Sequence, residues 1–247
     1  MIAGVALILL VTGLGAAWLI ANSAYRQHQA EVETAWNEIA ANAASATSFY
    51  EPAMVADLPE IAQRYFNHAI APGTPLSTIV ELEMDGRFLL GDRDKFQTYE
   101  MSARQILSAP SEFIWRVELR SGPIVVTGSD GLRGTHAWMR MWMFWSIPLV
   151  QVAATEGLDR SALTRPALEA IWAPASLLPA YGARWEQLSS DKARVTLGKG
   201  TTQTVVSMTI AESGRVIDIV ADRWSDANPQ KVFQLQPLGA CCVNPWL

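Results

Sequence analysis

Three kinds of side chain in this 247-residue chain could do chemistry: carboxylates, histidines, and a dense run of aromatics and methionines. Glu112, Glu118, Asp130, Glu156 and Glu169 supply acids that could pair for general acid–base work. In a sheet such charges usually line a solvated face, and sequence alone does not say which of them converge. His28, His68 and His136 stand apart, with no H-E-x-x-H spacing, so each reads as a surface or packing residue rather than a metal ligand. There is no G-x-S-x-G elbow for a lipase-like hydrolase. Gly198-Lys199-Gly200-Thr201-Thr202 lacks the spacing of a phosphate loop and reads as a hairpin turn. Gly128, Gly131 and Gly134 do not form a dinucleotide fingerprint. The only cysteines are Cys241 and Cys242, so residues 1–240 hold neither a disulfide framework nor a thiolate zinc site. No metal and no cofactor is expected. A net charge of −5 leaves no basic footprint for nucleic acid.

The aromatic run is Ala137–Val150, AWMRMWMFWSIPLV, with Arg140 its one charge. Read as a single strand, it puts Trp138, Arg140, Trp142 and Phe144 on one face and Met139, Met141, Met143 and Trp145 on the other. Apolar residues on both faces mean that both are covered, or that one meets a greasy ligand or a bilayer. Ordinary core is one reading, because Trp and Met bury much surface. The other is a cavity in a half-open sheet, where adaptable Met and flat Trp suit acyl chains. A second membrane span fails on length.

The elements that must position these residues read as α+β: an N-terminal transmembrane helix, then a large curved antiparallel sheet with a few packed helices. Val32, Trp36 and Ile39 recur at helical spacing between Ser23 and about Ser48. A second helix starts near Asp57-Leu58-Pro59-Glu60, with Ile61, Tyr65, Phe66 and Ile70 as its apolar face. Alternation from Ile79 to Met84 predicts a strand, ended by Asp85-Gly86 as a turn. Phe96–Ile106, Phe113–Leu119 and Ile124–Thr127 are further strands, and Gly128-Ser129-Asp130-Gly131 reads as a loop. A helix is expected over Asp159–Trp172. Strands resume at Gly182–Leu188, Ala193–Leu197, Thr202–Ile210 and Val216–Trp224, joined by short turns as in a meander.

Met1 to Ala21 carries no charged side chain. As a helix it would rise about 31 Å, enough for a hydrocarbon core of about 30 Å. Trp18 near its end suits the interface. An uncleaved anchor is favoured over a signal peptide, since no basic residue precedes Arg26. Ala21-Asn22-Ser23 nevertheless offers a small-x-small cleavage site. Arg26, with Glu31 and Glu33 behind it, leaves the side of the membrane open. The expected organisation is an anchor over 1–21, a helical stalk over 22–56, one α+β domain over 57–237, and a tail over 238–247.

Two blocks resemble an uncharacterised bacterial family, classed only as a domain of unknown function and often placed behind a membrane segment. The first is Leu58-Pro59, Arg64-Tyr65-Phe66, His68-Ala69-Ile70 and Gly73-Thr74-Pro75. The second runs E-x-x-W-x-P-x-x-L-L-P from Glu169 to Pro179 and continues through Trp185 to Leu197. The resemblance spans roughly 57–236 and implies location and architecture, with no activity to transfer. Glu169, Trp172, Pro174 and Trp185 match its most recognisable positions. Their structural reading is that Trp172 packs a helix end and Pro174 stops the helix. Pro166 departs from the family and should kink its helix or start a short separate one. The unpatterned run from Leu238 to Leu247 also departs, as in a frameshifted or truncated chain. It is expected to pack poorly, with Cys241 and Cys242 exposed and unpaired with each other.

The first function expected is therefore a single-pass membrane protein whose curved sheet binds a lipid or other apolar molecule. Trp138, Arg140, Trp142, Phe144, Glu169 and Trp172 are its candidate ligand-binding residues. A structural or protein-interaction module without a ligand cavity is the alternative. An enzyme acting on lipid or glycan, using acids such as Glu169, comes third.

Overall fold

The computed structural model describes residues 2–43, 48–92, 95–152 and 155–241. Helix α1 spans Ile2–Ala41 and α2 spans Glu60–Ala69. Six strands follow: β1 (Ile79–Asp92), β2 (Lys95–Ser108), β3 (Glu112–Ser121), β4 (Ile124–Arg133), β5 (His136–Met143) and β6 (Ile147–Val152). They pair antiparallel in chain order as one sheet. Two short helices, α3 (Glu156–Ala162) and α4 (Thr164–Leu168), and three 3₁₀ turns lead to a second sheet. Its strands are β7 (Arg184–Gln187), β8 (Lys192–Leu197), β9 (Thr204–Ile210), β10 (Val216–Ser225) and β11 (Gln234–Cys241), again a meander.

The α+β class and the large antiparallel sheet are present, but the strands form two sheets, not one. The reason is the helical connection: α3 packs against both β5 and β10, so it sits between the sheets and breaks the meander. One apolar core joins the inner faces of both sheets to α2 and α4. Tyr65 and Phe66 of α2 meet the Trp185 ring of β7, and the Trp185 indole donates to the Leu177 carbonyl at 2.9 Å.

Strand register lays the inner face of the six-stranded sheet out in rows. Val80, Leu107, Phe113, Leu132 and Ala137 form the first. The second contains Gln105, Trp115, Asp130 and Met139, the third Ala103, Val117, Gly128 and Met141, and the fourth Met101, Leu119, Val126 and Met143. Leu107, Phe113 and Leu132 are fully buried, whereas Met101, Val126 and Met143 are half-buried. On the outer face, Val32, Trp36 and Ile39 of α1 pack on Ile106 and Ile114.

Several local expectations change. Helix α1 ends at Ala41, not near Ser48, and residues 22–41 lie along the sheet. Asp85-Gly86 is no turn, because β1 stays paired with β2 as far as Asp92. Gly128–Gly131 is mid-strand, held between β3 and β5. The aromatic run is two strands around a tight turn at Phe144-Trp145, both at positive φ. The expected helix over Asp159–Trp172 is α3, α4 and a 3₁₀ turn, with Pro166 in the first turn of α4, where its missing N–H is tolerated.

Leu238–Cys241, expected to pack poorly, complete β11 against β10, and Leu238 touches the core. Cys241 is exposed, while the Cys242–Leu247 part of the tail expectation lies outside the described residues. Of the expected anchor, Met1 and the side chains of residues 2–11, 14, 16 and 21 also lie outside them. Among the described residues, no helix is long and apolar enough to cross a membrane.

Candidate functional site

Two polar clusters lie back to back across β4, where Ser129 points to the outer face and Asp130 to the inner one. The inner cluster is built on Arg165 of α4. Its guanidinium donates to Asp130 at 2.6 Å, to Glu169 at 2.8 Å and to Gln105 Oε1 at 3.1 Å. The Gln105 amide donates in turn to the second Glu169 oxygen at 2.7 Å. The Arg165–Glu169 pair is four residues apart, so one turn of backbone sets its spacing. Arg165 also lies over the rings of Phe113 and Trp115, 4.4 and 5.3 Å from their centroids.

Burial raises the Asp130 pKa above the usual carboxylate value, and the guanidiniums of Arg165 and Arg223 oppose that rise. Arg223 of β10 donates to the Ser161 hydroxyl at 2.8 Å, which ties the second sheet to α3. Two of the acids named from sequence, Asp130 and Glu169, therefore do share one site. Both are hydrogen-bonded to the same guanidinium, which offsets part of the cost of their burial.

The outer cluster joins α1 to β4 and β5. His28 Nε2 lies 2.7 Å from Ser129 Oγ, and the Trp138 indole N–H donates to the same oxygen at 3.0 Å. Arg140 Nη1 lies 3.3 Å from His28 Nδ1. A guanidinium only donates, so Nδ1 must accept and Nε2 must carry the proton toward Ser129. That tautomer removes His28 as a general base for Ser129, although a bare Ser–His distance would invite the reading. Burial, and then the Arg140 charge, lowers the His28 pKa to about 4. Glu31 completes the cluster, 3.6 Å from Arg140. A cleft of about 320 Å³ opens between α1 and β5, lined by His28, Glu31, Val32, Ala35, Trp138 and Arg140 among others.

The six candidate ligand residues are not brought together. Trp138, Arg140 and Trp142 share the outer face, where α1 covers them: Tyr25 stands edge-on to the Trp142 ring and His28 leans on it. Phe144, expected beside them, has left the strand for the turn and is exposed. Glu169 is on the opposite side of the sheet. Trp172, expected to pack a helix end, is 44% exposed because the 3₁₀ turn directs it away from the core. Met139, Met141 and Met143 face inward.

Arg165 and Gln105 do not stand out in the sequence, where His28 reads as a surface or packing residue and Ser129 as part of a loop. Only Arg165–Glu169, four apart, carried a local signal. Among the described residues, no set of three or more His, Cys, Asp or Glu side chains is placed to hold a metal ion. A larger cleft of about 510 Å³ lies against the second sheet, between Arg160, Arg194, Asp222 and Trp224. The Trp224 ring there is covered by Arg160 at 3.8 Å and stacked on Phe233.

Fold and site together define an α+β domain of two antiparallel meanders, with a charged cluster inside and a helix-capped neutral cluster outside. The chain belongs to DUF6544, a family of unknown function, whose model matches residues 47–241. The match takes in both sheets, and α1 lies before it. No curated protein and no solved structure matches the chain.

Proposed function

We propose that the domain is held at a membrane by residues 1–21 and takes an acyl or other apolar chain along the inner face of its six-stranded sheet. The observation that carries this reading is the graded cover of that face. Leu107, Phe113 and Leu132 of the first row are fully buried; in the fourth, Leu119 is buried, but Met101, Val126 and Met143 are half-buried, and Ile147, paired with Met143, is 47% exposed. The less covered rows are rich in Met, whose flexible thioether adapts to chains of different shape. The uncharged run of 21 residues at the start of the sequence supports the attachment.

The full chain purified in detergent, extracted and analysed by mass spectrometry, should carry lipid. It should also bind a fluorescent fatty acid, and Met143→Glu should abolish that binding while the far-UV spectrum is kept. Protein that is reproducibly empty and takes up no fatty acid would overturn the reading. An interaction module without a ligand is the second reading. What favours it is that the guanidinium, the two carboxylates and the amide of the inner cluster are hydrogen-bonded to one another.

A further inference from the structure

The Asp130–Arg165–Glu169 cluster is hydrogen-bonded within itself. The larger cleft, against the second sheet, is lined by polar side chains that are not. Its place follows from the strand lengths. β9 starts only at Thr204, after the 3₁₀ turn at Gly200–Thr202, whereas β10 runs on to Ser225. Their pairing ends at Val206–Ala221. Past that pair, β9 has a strand partner only in β8, and β10 only in β11. The cleft of about 510 Å³ opens there, with Arg160 and Leu163 on its helical side. Arg223 donates to the Ser161 carbonyl and hydroxyl at 3.2 and 2.8 Å, which fixes the end of α3 at this gap.

Gln203, Thr204, Ser207 and Asp222 line the cleft, and among the described residues their side chains have no hydrogen-bond or ion-pair partner. Arg160 has no carboxylate partner among them either, and lies over the Trp224 ring at 3.8 Å. Arg194 reaches Glu186 at 3.0 Å through one nitrogen, in a pair open to water. The walls therefore offer both kinds of hydrogen-bonding group. Asp222 accepts, the guanidiniums donate, and the hydroxyls and the Gln203 amide do both. Val205, Trp224 and Leu235 place apolar surface among them.

This mixture selects a ligand class. An acyl chain would cover the polar groups and leave each without water or partner, at about 1–3 kcal/mol apiece. A polyphosphate would suit the guanidiniums but would meet Asp222 as a like charge. With Glu186 beside Arg194, two guanidiniums are balanced by two carboxylates, so the site has no net charge to draw an ion. A neutral, hydroxyl-rich ligand needs what the walls hold: donors and acceptors at close spacing, and apolar patches for ring carbons. We infer that this cleft is a binding site for a short neutral oligosaccharide. Asp222 accepts from its hydroxyls, Arg194 and Gln203 donate to their oxygens, and Trp224 and Leu235 meet the apolar face of a ring. The volume lies within the roughly 300–1,000 Å³ of small-ligand sites. No lining residue belongs to the six-stranded sheet, so the site does not rest on the apolar-chain reading.

The test uses the full chain in a zwitterionic detergent, whose headgroup is not a sugar. Maltotriose, cellotriose and tri-N-acetylchitotriose are each titrated and followed by saturation-transfer NMR. At least one should receive saturation from the protein, and excess tripolyphosphate should not displace it. Asp222→Ala should weaken that binding about tenfold, the loss of a hydrogen bond to a charged group. Gln203→Ala, at an exposed position, should weaken it less, and Met143→Glu, on the other sheet, should leave it unchanged. Urea midpoints equal to the wild type show that the variants are folded. No transfer to any of the three sugars overturns the inference. So does an affinity that neither Asp222→Ala nor Gln203→Ala lowers. Displacement by tripolyphosphate makes the cleft an anion site and overturns it as well. Loss of sugar binding in Met143→Glu would place the sugar on the other sheet, against the inference.

Discussion

Ser129 and Asp130 are neighbours in β4, yet they solve the burial of polar groups in opposite ways. Asp130 turns inward to a charged cluster, where two carboxylates and an amide share one guanidinium laid on aromatic rings. Ser129 turns outward to a neutral one, where a deprotonated histidine and an indole converge on a hydroxyl. The inner solution is the stronger and the more fragile, since every member carries or holds a charge. The outer one avoids charge at its centre and leaves Arg140 and Glu31 at the edge. The difference follows the chain: the inner cluster draws on residues 105–169, all inside the family match, whereas His28 and Glu31 come from the helix before it.

Breaking the inner cluster should give the largest effect. Arg165→Met leaves Asp130 and Glu169 buried without their cation, a change that costs about 3–5 kcal/mol. Urea unfolding of the detergent-solubilised full chain would measure it. Adding Glu169→Gln should recover part of the loss, because one fewer unpaired charge remains. A loss under about 1 kcal/mol would mean that water reaches the cluster and that the two faces do not differ as described.

The outer cluster should show itself through pH. His28 binds its proton at about pH 4 in the fold and at about 6.5 in the open chain. Between those values the unfolded state takes up a proton that the native state refuses, so stability falls as pH drops from 6.5 to 4 and levels off below. Allowing for partial solvation, the loss is about 2 kcal/mol. Asp130 acts with the opposite sign, because its raised pKa makes stability fall as pH rises through its own window. Comparing the wild type with His28→Gln cancels that contribution. The variant should lose the slope between pH 6.5 and 4, and parallel curves would show that His28 is protonated in the fold.

Much of the sheet was legible in the sequence. Alternation over Phe113–Leu119 separates inner from outer residues correctly, because the strand is covered differently on its two sides. Gly128–Gly131 reads as a loop because G-S-D-G has the composition of a turn, yet it is mid-strand in β4. A β-carbon at Gly131 would run into the Trp138 ring, and one at Gly128 into Arg140 and Met141. Glycine is there to admit the next strand, a demand visible only once β5 is in place. The site was less legible still. Arg165 meets Asp130 and Gln105 across 35 and 60 residues, separations that no periodicity encodes. The outer apolar face of the Trp run pointed to a cover without naming it, and α1 is that cover.

The smallest effect sharpens the question of what holds α1 on the sheet. Arg116 pairs with Glu33 at 2.5 Å, and Arg133 pairs with Glu38. Beside them lies an apolar knot of Val32, Trp36 and Ile39 on Ile106 and Ile114, each under a tenth exposed. Short distances make the ion pairs look dominant. Yet Glu33 is 54% exposed and Arg116 33%, so water and salt screen the pair, and Arg116 keeps its hydrogen bond to Gln29 at 3.1 Å when Glu33 is gone. Glu33→Gln should therefore cost less than about 1 kcal/mol, and less again at high salt. Ile114→Ala removes buried methyl groups that no solvent replaces and should cost about 2 kcal/mol or more. Measured side by side by urea unfolding, the two substitutions rank the forces directly. If Glu33→Gln proves the costlier, charge docks the helix, and the outer face depends on ionic contacts as much as the inner cluster does.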